Sequence, residues 1–212
     1  MKKTLVLFAS IATLSLMWSN LAAAQGVANA SFEDPITADG APFVGFWEAF
    51  SAGAGAISAN STEMPRTGAQ SLLLEIDNVD NSFAGAFQDI PNLTPGTSVT
   101  YSLWHKSTSN PLDLGTEVRI EWRDSVGNVE ISRTANSTPV PSSDYTEFSL
   151  SSVVPAGADT ARIVYAIQTF GPEPTNSGSV YIDDVSFVPE PSAGIMSLVA
   201  LLAMPMLRRR SR

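Results

Sequence analysis

The chain has 212 residues, which indicates one domain or at most two, and it has no cysteine, which excludes a disulfide framework. Six of the twelve basic residues lie at the two ends, so residues 25–190 hold six basic residues against all 21 acidic ones, a net charge of −15. A surface of that sign repels nucleic acid and anionic membrane, and it attracts divalent cations.

Residues 1–24 have the pattern of a secretory signal peptide. Two lysines precede an apolar stretch over residues 4–18, and Ala22 and Ala24 fit the A-x-A cleavage pattern. The alternative is a short buried helix, but two lysines, an apolar run and A-x-A rarely coincide in one. The sequence therefore predicts export, with cleavage after Ala24.

Residues 25–187 consist of short segments of alternating apolar and polar residues, separated by Gly, Pro, Asn and Asp. In the clearest segment, Val118, Ile120 and Trp122 alternate with charged residues, so one face is buried and the other meets water. The predicted strands cover residues 70–76, 84–90, 97–106, 117–123, 129–133, 161–168 and 179–188. Short, regularly spaced strands without helices predict an all-β, two-sheet sandwich or jelly roll.

Two regions outside these strands are less regular. Residues 52–59 (AGAGAISA) are small and predict a loop or a weak edge strand. Trp47 lies in the phrase GFWEAF, which has a loop-like composition. Loops of this kind often carry binding residues.

Four phrases give the region a family resemblance. NASFE opens it at residue 29, RTGAQSL begins at 66, LTPGTSVTY begins at 93, and YIDDVSF closes it at 187. In this order they resemble the galactose-binding-like jelly rolls, especially carbohydrate-binding modules attached to bacterial glycoside hydrolases. The resemblance implies a jelly-roll fold and makes binding of a polysaccharide the first functional hypothesis, although a fold does not fix a function.

The same resemblance implies a structural calcium ion. In that family the opening Glu and the closing Asp help to hold it, and Glu33 and Asp183 match those places. Calcium takes six to eight oxygen ligands, from carboxylates and backbone carbonyls. Asp183 is expected to share the inward face of its strand with Val185 and Phe187, where a carboxylate needs a partner or an ion. Asp184 would then face outward, and the reverse assignment of the two is the alternative. The alternative is two solvated acids at strand ends.

A sugar site needs flat aromatic faces beside polar groups. The candidates are Trp47, Trp104, Trp122, Tyr165 and Phe170, and we select Trp47 and Trp104. Trp104 shares its strand face with Ser102 and Lys106, which predicts exposure, and Trp47 lies in the loop-like phrase. Packing in the core is the alternative for each. Trp122 is expected to be a core residue, because it alternates with Val118 and Ile120.

Catalysis is not indicated. His105 is the single histidine, there is no cysteine, and no G-x-S-x-G phrase is present for a Ser-His-Asp site. A zinc site lacks ligands. Carboxylate pairs that could serve a glycosidase are expected by chance among 21 acidic residues. We therefore expect a protein that is not an enzyme.

The chain ends with an apolar run over residues 193–207 and four arginines between 208 and 212. Arginines beside an apolar span stay on the cytoplasmic side of a membrane. Preceded by Val188, Pro189, Glu190 and Pro191, this tail resembles the PEP-CTERM sorting signal of Gram-negative bacteria. The resemblance implies that an exosortase processes residues 188–212 after transient anchoring in the inner membrane. A tail anchor that is never cut is the alternative.

Together these features predict a non-catalytic protein exported to the cell surface or the exopolysaccharide matrix. The expected partners are the exosortase and an extracellular polysaccharide, with no nucleic acid. The alternative is a structural matrix or adhesion protein without a small-ligand site.

Overall fold

A computed structural model of the chain describes residues 26–53, 55–77, 81–109, 113–169 and 177–190. These residues form ten strands and no helix, so the all-β prediction is confirmed. The strands are β1 Glu48–Ala52, β2 Ala56–Ser61, β3 Ser71–Ile76, β4 Phe83–Ile90, β5 Ser98–Ser107, β6 Gly115–Asp124, β7 Val129–Arg133, β8 Thr146–Val153, β9 Thr160–Gln168 and β10 Gly178–Pro189. The predicted signal peptide and the predicted apolar helix of the tail lie outside the described residues.

The strands form two five-stranded antiparallel sheets. Sheet A has the order β1-β4-β9-β6-β7, and sheet B has the order β2-β3-β10-β5-β8. The sheets pack face to face, as in a jelly-roll sandwich, with the apolar core between them. The predicted jelly-roll fold is therefore confirmed.

Alternation along the strands decides which side chains enter the core. On β6, Val118, Ile120 and Trp122 are buried, which confirms the prediction for Trp122. On β5 the buried side chains include His105, whose Nδ1 lies 2.8 Å from the hydroxyl of Tyr165. Burial lowers the pKa of His105 to about 4, because the core disfavours the charged imidazole.

The last strand is longer than predicted and contains a bulge. Its pairing with β5 shifts register between Asp183 and Ser186, next to Asp184, which has a positive φ of 48°. The strand continues through Val188 and Pro189, and the N–H of Glu190 donates a hydrogen bond to a backbone carbonyl of the neighbouring segment. The first residues of the predicted sorting motif are thus joined to the folded domain.

Two strands were not predicted from the sequence. β1 begins inside GFWEAF, and β8 is a strand of serine-rich, largely exposed residues at an edge of sheet B. β2 agrees with the expectation of a loop or weak edge strand. Nowhere in the described ranges is there a helix of the length and apolarity that a bilayer crossing requires.

Candidate functional site

The solvent side of sheet A carries a continuous row of phenylalanine rings, which we call the aromatic strip. Its members are Phe83, Phe50, Phe87 and Phe43. Ring centroids are 6.0 Å apart between Phe83 and Phe50, 6.2 Å between Phe50 and Phe87, and 5.0 Å between Phe87 and Phe43. Phe83 is 40% exposed and the other three are partly exposed. These large rings therefore lie outside the core, and a cluster of exposed apolar side chains of this kind makes the face a candidate binding surface.

A glycine on β4 leaves room for the ring of Phe50 to lie against the sheet. Gly85 pairs with Phe50 on β1 and with Ala166 on β9. A Cβ atom at Gly85 would collide with the ring of Phe50 and would lie 2.8 Å from the carbonyl oxygen of Tyr165. The absence of a side chain therefore positions Phe50.

Arg162 on β9 borders the strip and is held in two ways. Its guanidinium lies 3.9 Å from the ring centroid of Phe87 and 5.1 Å from that of Phe43. It also forms a two-point ion pair with Asp89 on β4, with N–O distances of 2.7 and 2.8 Å. Stacking and ion pairing together fix the guanidinium in place at the end of the strip.

The centre of the outer face of sheet A is a shallow surface formed by short side chains of β9, which we call the floor. Val164 and Ala166 point outward from β9, opposite to the core residues of that strand, yet both are buried between the side chains of the neighbouring strands. Gln168 ends the same row and donates to Glu117 at 3.3 Å. The floor therefore lies between the aromatic strip on β4 and polar groups on β6.

The far side of the floor is a ladder of ion pairs on β6. Arg119 binds Glu117 and donates to Glu121 at 2.8 Å, and Arg123 donates to Glu121 at 2.9 Å. Arg133 on β7 and Arg162 lie on the same outer face of sheet A. This face therefore holds four of the six basic residues between positions 25 and 190, each beside a carboxylate. The face is therefore charge-balanced on a strongly acidic protein.

The outer face of sheet B is partly covered, because residues 62–70, which we call the covering segment, lie across it. Asp183 is fully buried there and accepts hydrogen bonds from the backbone N–H groups of Arg66, Thr67 and Asp184 at 2.7, 3.1 and 2.8 Å. Burial raises the pKa of Asp183 despite these donors. The carboxylate fastens the covering segment to the sheet.

The expected orientation of Asp183 is wrong. Asp183 pairs with Trp104, and both lie on the outer side of sheet B, whereas Val185 and Phe187 belong to the core. The bulge between Asp183 and Ser186 reverses the alternation. The buried carboxylate is satisfied by backbone N–H groups of the covering segment.

Glu33 contacts the same segment a few residues further on. Its Oε1 accepts hydrogen bonds from the N–H groups of Ala69 and Gln70 at 2.9 and 3.2 Å. The described residues contain no group of three or more His, Cys, Asp or Glu that could hold a metal ion. A cation between Glu33 and Asp183 would therefore draw its other ligands from backbone carbonyls.

The two tryptophans predicted as sugar platforms lie in different surroundings. Trp47 is 2% exposed, stacks with Phe32 at 4.9 Å and donates its Nε1–H to the carbonyl of Asn29 at 3.0 Å. Trp47 is therefore a core residue and offers no face to a sugar, because the chain turns it inward as β1 begins. The prediction for Trp47 is wrong.

Trp104 is partly exposed on the outer side of sheet B, as predicted from its strand face. The guanidinium of Arg66 lies 3.8 Å from its ring centroid and occupies one ring face. Arg66 is itself paired with Asp184. Trp104 and the aromatic strip therefore lie on opposite sides of the sandwich.

The sequence reasoning missed the aromatic strip. Its rings come from β1, β4 and the segment before β1, and only the cross-strand register brings them together. Phe83, Gly85 and Phe87 alternate with core alanines on β4, and this was the available signal.

No protein-family model matches the chain, and no curated protein is significantly similar to it. Several solved structures share its fold. Tailspike protein 4 of bacteriophage CBA120 is 18% identical with a TM-score of 0.59, over 77% of this chain and 21% of that one. The CBM22-1–GH10 modules of a Clostridium thermocellum xylanase, complexed with xylohexaose, are 18% identical with a TM-score of 0.52, over 79% of this chain and 29% of that one.

A family 16 carbohydrate-binding module is 18% identical with a TM-score of 0.49, over 76% of this chain and 98% of that module. This chain spans about a fifth of the tailspike protein and under a third of the xylanase modules. The structural neighbours include several carbohydrate-binding modules. At 18% identity, the likeness to the tailspike protein and to the xylanase modules shows the fold alone, a β-sandwich.

Proposed function

We propose that the protein is a non-catalytic polysaccharide-binding protein and that the outer face of sheet A is its binding site. The observation that carries the proposal is the aromatic strip, a row of open rings beside a low floor and a polar ladder. Apolar ring faces next to fixed hydrogen-bonding groups are what a sugar chain requires, since each sugar has an apolar face and a rim of hydroxyls.

The charges of the face favour a neutral polymer. The arginines of the face are paired with carboxylates, so no net positive charge is offered to an acidic glycan. The rest of the domain is strongly acidic and repels polyanions. Paired guanidinium and carboxylate groups still donate to and accept from hydroxyl groups.

Binding without catalysis agrees with the same contacts. Glycoside hydrolysis needs a carboxylic acid and a carboxylate placed on either side of the bond to be cut. On this face, Asp89, Glu117 and Glu121 are each bound to arginine. These acids act as fixed acceptors.

The first test is a screen of the purified protein against neutral and acidic polysaccharides by affinity electrophoresis. We expect retention by a neutral polymer, reduced at least tenfold by Phe83→Ala, because truncation removes an exposed ring of the strip. Ile57→Ala on β2 is the matched control, since Ile57 is 43% exposed on the other sheet. Equal retention of both variants would exclude the strip.

A structural matrix or adhesion protein without a small-ligand site is the second candidate. The charged side chains on the outer face of sheet A are paired with one another, which also suits a protein that only separates other components of the matrix and binds no ligand. A folded sample that binds none of the polymers, together with weakened flocs or biofilm in cells lacking the protein, would favour this candidate over polysaccharide binding.

We also propose that the protein is exported and that its tail is a PEP-CTERM sorting signal processed by an exosortase. The support is the order of signal peptide, PEP motif, apolar run and arginines in the sequence. Intact-mass measurement of the protein recovered from the cell surface tests this. We expect loss of residues 1–24 and of the apolar tail, and recovery with residues 193–212 still attached would contradict processing.

A structural calcium ion held by Glu33 and Asp183 is a third proposal. Its support is that both carboxylates attach to residues 66–70, so one ion there would join the start of the domain, the covering segment and the last strand. We expect calcium to raise the melting temperature of the wild type and to have no effect on Glu33→Gln. Identical melting of the wild type in calcium and in chelator would contradict the proposal.

A further inference from the structure

The four edges of the two sheets are not equally protected against pairing with another chain. β1 is shielded because Thr37 exchanges backbone hydrogen bonds with Trp47 and Ala49 along its free side. β7 is short, contains a bulge in its pairing with β6, and carries Glu130 and Arg133. Shielding, bulges and charges are the devices by which proteins block edge strands.

The β2 edge is closed in another way. β2 follows β1 after three residues, and the hydroxyl of Ser58 donates to the carbonyl of Phe50 at 3.1 Å. The β1 and β2 edges therefore lie against each other, at a corner where the chain passes from one sheet to the other.

β8 is neither shielded by another segment nor interrupted by a bulge. It runs for eight residues in unbroken register with β5, contains no proline, lysine or arginine, and has Glu147 as its one charge. Within the described ranges its backbone is hydrogen-bonded to β5 alone. In an edge strand, every second residue directs its N–H and C=O groups away from the sheet. β8 is therefore an open hydrogen-bonding edge.

We propose that β8 pairs antiparallel with β8 of a second copy of this chain. The sequence of the strand fits its own reverse around Ser149. In that register Phe148 lies opposite Leu150 of the second copy, and Glu147 lies opposite Ser151. Phe148 and Leu150 already pack at the margin of the core, so their pairing would extend the apolar layer across the junction.

No other nearby centre fits as well. Pairing centred on Leu150 sets Phe148 against Ser152, and pairing centred on Phe148 sets Glu147 against Ser149. The register centred on Ser149 joins the two apolar residues, twice by symmetry, and places no like charges opposite each other. Such an isologous contact closes on itself and gives a dimer with a continuous ten-stranded sheet.

The geometry has a consequence for the proposed binding function. The two-fold axis of this pairing is perpendicular to sheet B, so both copies turn the same side of the sandwich in one direction. Both outer faces of sheet A then point the same way, and a polymer could contact both. Two linked weak sites retain a polymer far better than one. The dimer itself does not depend on the polysaccharide proposal.

The absence of cysteine makes a cross-linking test clean. The full chain carrying Ser149→Cys or Ser151→Cys is oxidised mildly at about 0.15 M salt, where surface repulsion is screened beyond roughly 8 Å. Both serines are exposed on the same face of β8. In the proposed register the 149 positions are directly opposite, whereas the 151 positions are offset by about 14 Å along the strands.

We expect Ser149→Cys to form a disulfide-linked dimer at least tenfold faster than Ser151→Cys. Equal rates would show random collision and overturn the register. Ser149→Lys should abolish a dimer seen by sedimentation of the otherwise unmodified chain, while Ser102→Lys, on the neighbouring central strand, should leave it intact. A monomer in the wild type at all concentrations tested would overturn the proposal.

Discussion

The two outer faces of the sandwich differ in what covers them. On sheet A the aromatic strip is open, and the charged groups beside it are paired within the sheet. On sheet B residues 62–70 lie across the strands, and Arg66 occupies a ring face of Trp104. Whether an aromatic ring is available to a ligand depends on whether another part of the chain covers it, and the residue type alone does not decide its availability.

The covered face illustrates how a buried carboxylate can hold a loop. Asp183 receives three backbone N–H groups from the covering segment and from its own strand. Two of these contacts connect positions more than 100 residues apart in the sequence. On the open face the charged contacts of Asp89 with Arg162 and of the β6 residues run within a strand or between neighbouring strands. We therefore expect Asp183 to matter more than the aromatic strip for stability, and the aromatic strip to matter more than Asp183 for binding.

The largest effect is expected for Asp183→Asn. The amide leaves a buried backbone N–H without an acceptor, so we expect a loss of about 3 kcal/mol in the free energy of unfolding. Denaturant unfolding measures it. Asp184→Asn is the matched control, because Asp184 is partly exposed and its pairing with Arg66 contributes at most about 1 kcal/mol. Equal losses in the two variants would contradict the claim that the buried Asp183 holds the covering segment more strongly than the partly exposed pair of Asp184 and Arg66.

A similar loss in the free energy of unfolding is expected at acidic pH, because His105 lies buried in the core between the two sheets. The pKa of His105 is about 4 in the folded protein against an ordinary value of 6.5, so the unfolded chain binds the extra proton first. Stability should therefore fall as the pH drops from 6.5 to 4, by about 3 kcal/mol.

Unfolding curves across this pH range measure that loss. His105→Gln, which retains a hydrogen-bonding side chain near Tyr165 but does not titrate, should flatten the slope between pH 4.5 and 6.5. Since His105 is the single histidine, an unchanged slope would contradict the assignment.

A smaller effect is expected for Gly85→Ala on the open face. The added Cβ collides with the ring of Phe50, so we expect a loss of about 1–3 kcal/mol and weaker binding of polysaccharide. The double variant Phe50→Ala/Gly85→Ala should lose less stability than the sum of the two single variants, because the collision is gone. Strict additivity would show that the glycine does not position the ring.

The strands with strict alternation were predictable, because burial on one face imposes a period of two. β5 and β6 follow this rule over most of their length. β8 was missed because its exposed serines give little contrast with its neighbours. β1 was missed because its phrase mixes glycine and aromatic residues without alternation.

The site was less predictable than the fold. The bulge beside Asp184 reverses the faces of the last strand, and nothing in YIDDVSF marks it. Trp47 looked like a loop residue, yet the start of β1 turns it into the core. The aromatic strip depends on register between strands that are distant in sequence, which a pattern along one segment does not contain.

The most direct test of the central claim compares the two faces with one ligand. Equilibrium binding of the polysaccharide selected by the screen is measured for Phe50→Ala/Phe83→Ala and for Trp104→Ala, with folding checked by thermal melting. We expect the phenylalanine variant to weaken binding at least tenfold, equivalent to about 1.4 kcal/mol, and Trp104→Ala to stay within about twofold of wild type. Loss of binding in Trp104→Ala, with the phenylalanine variant unaffected, would place the site on sheet B and contradict the account.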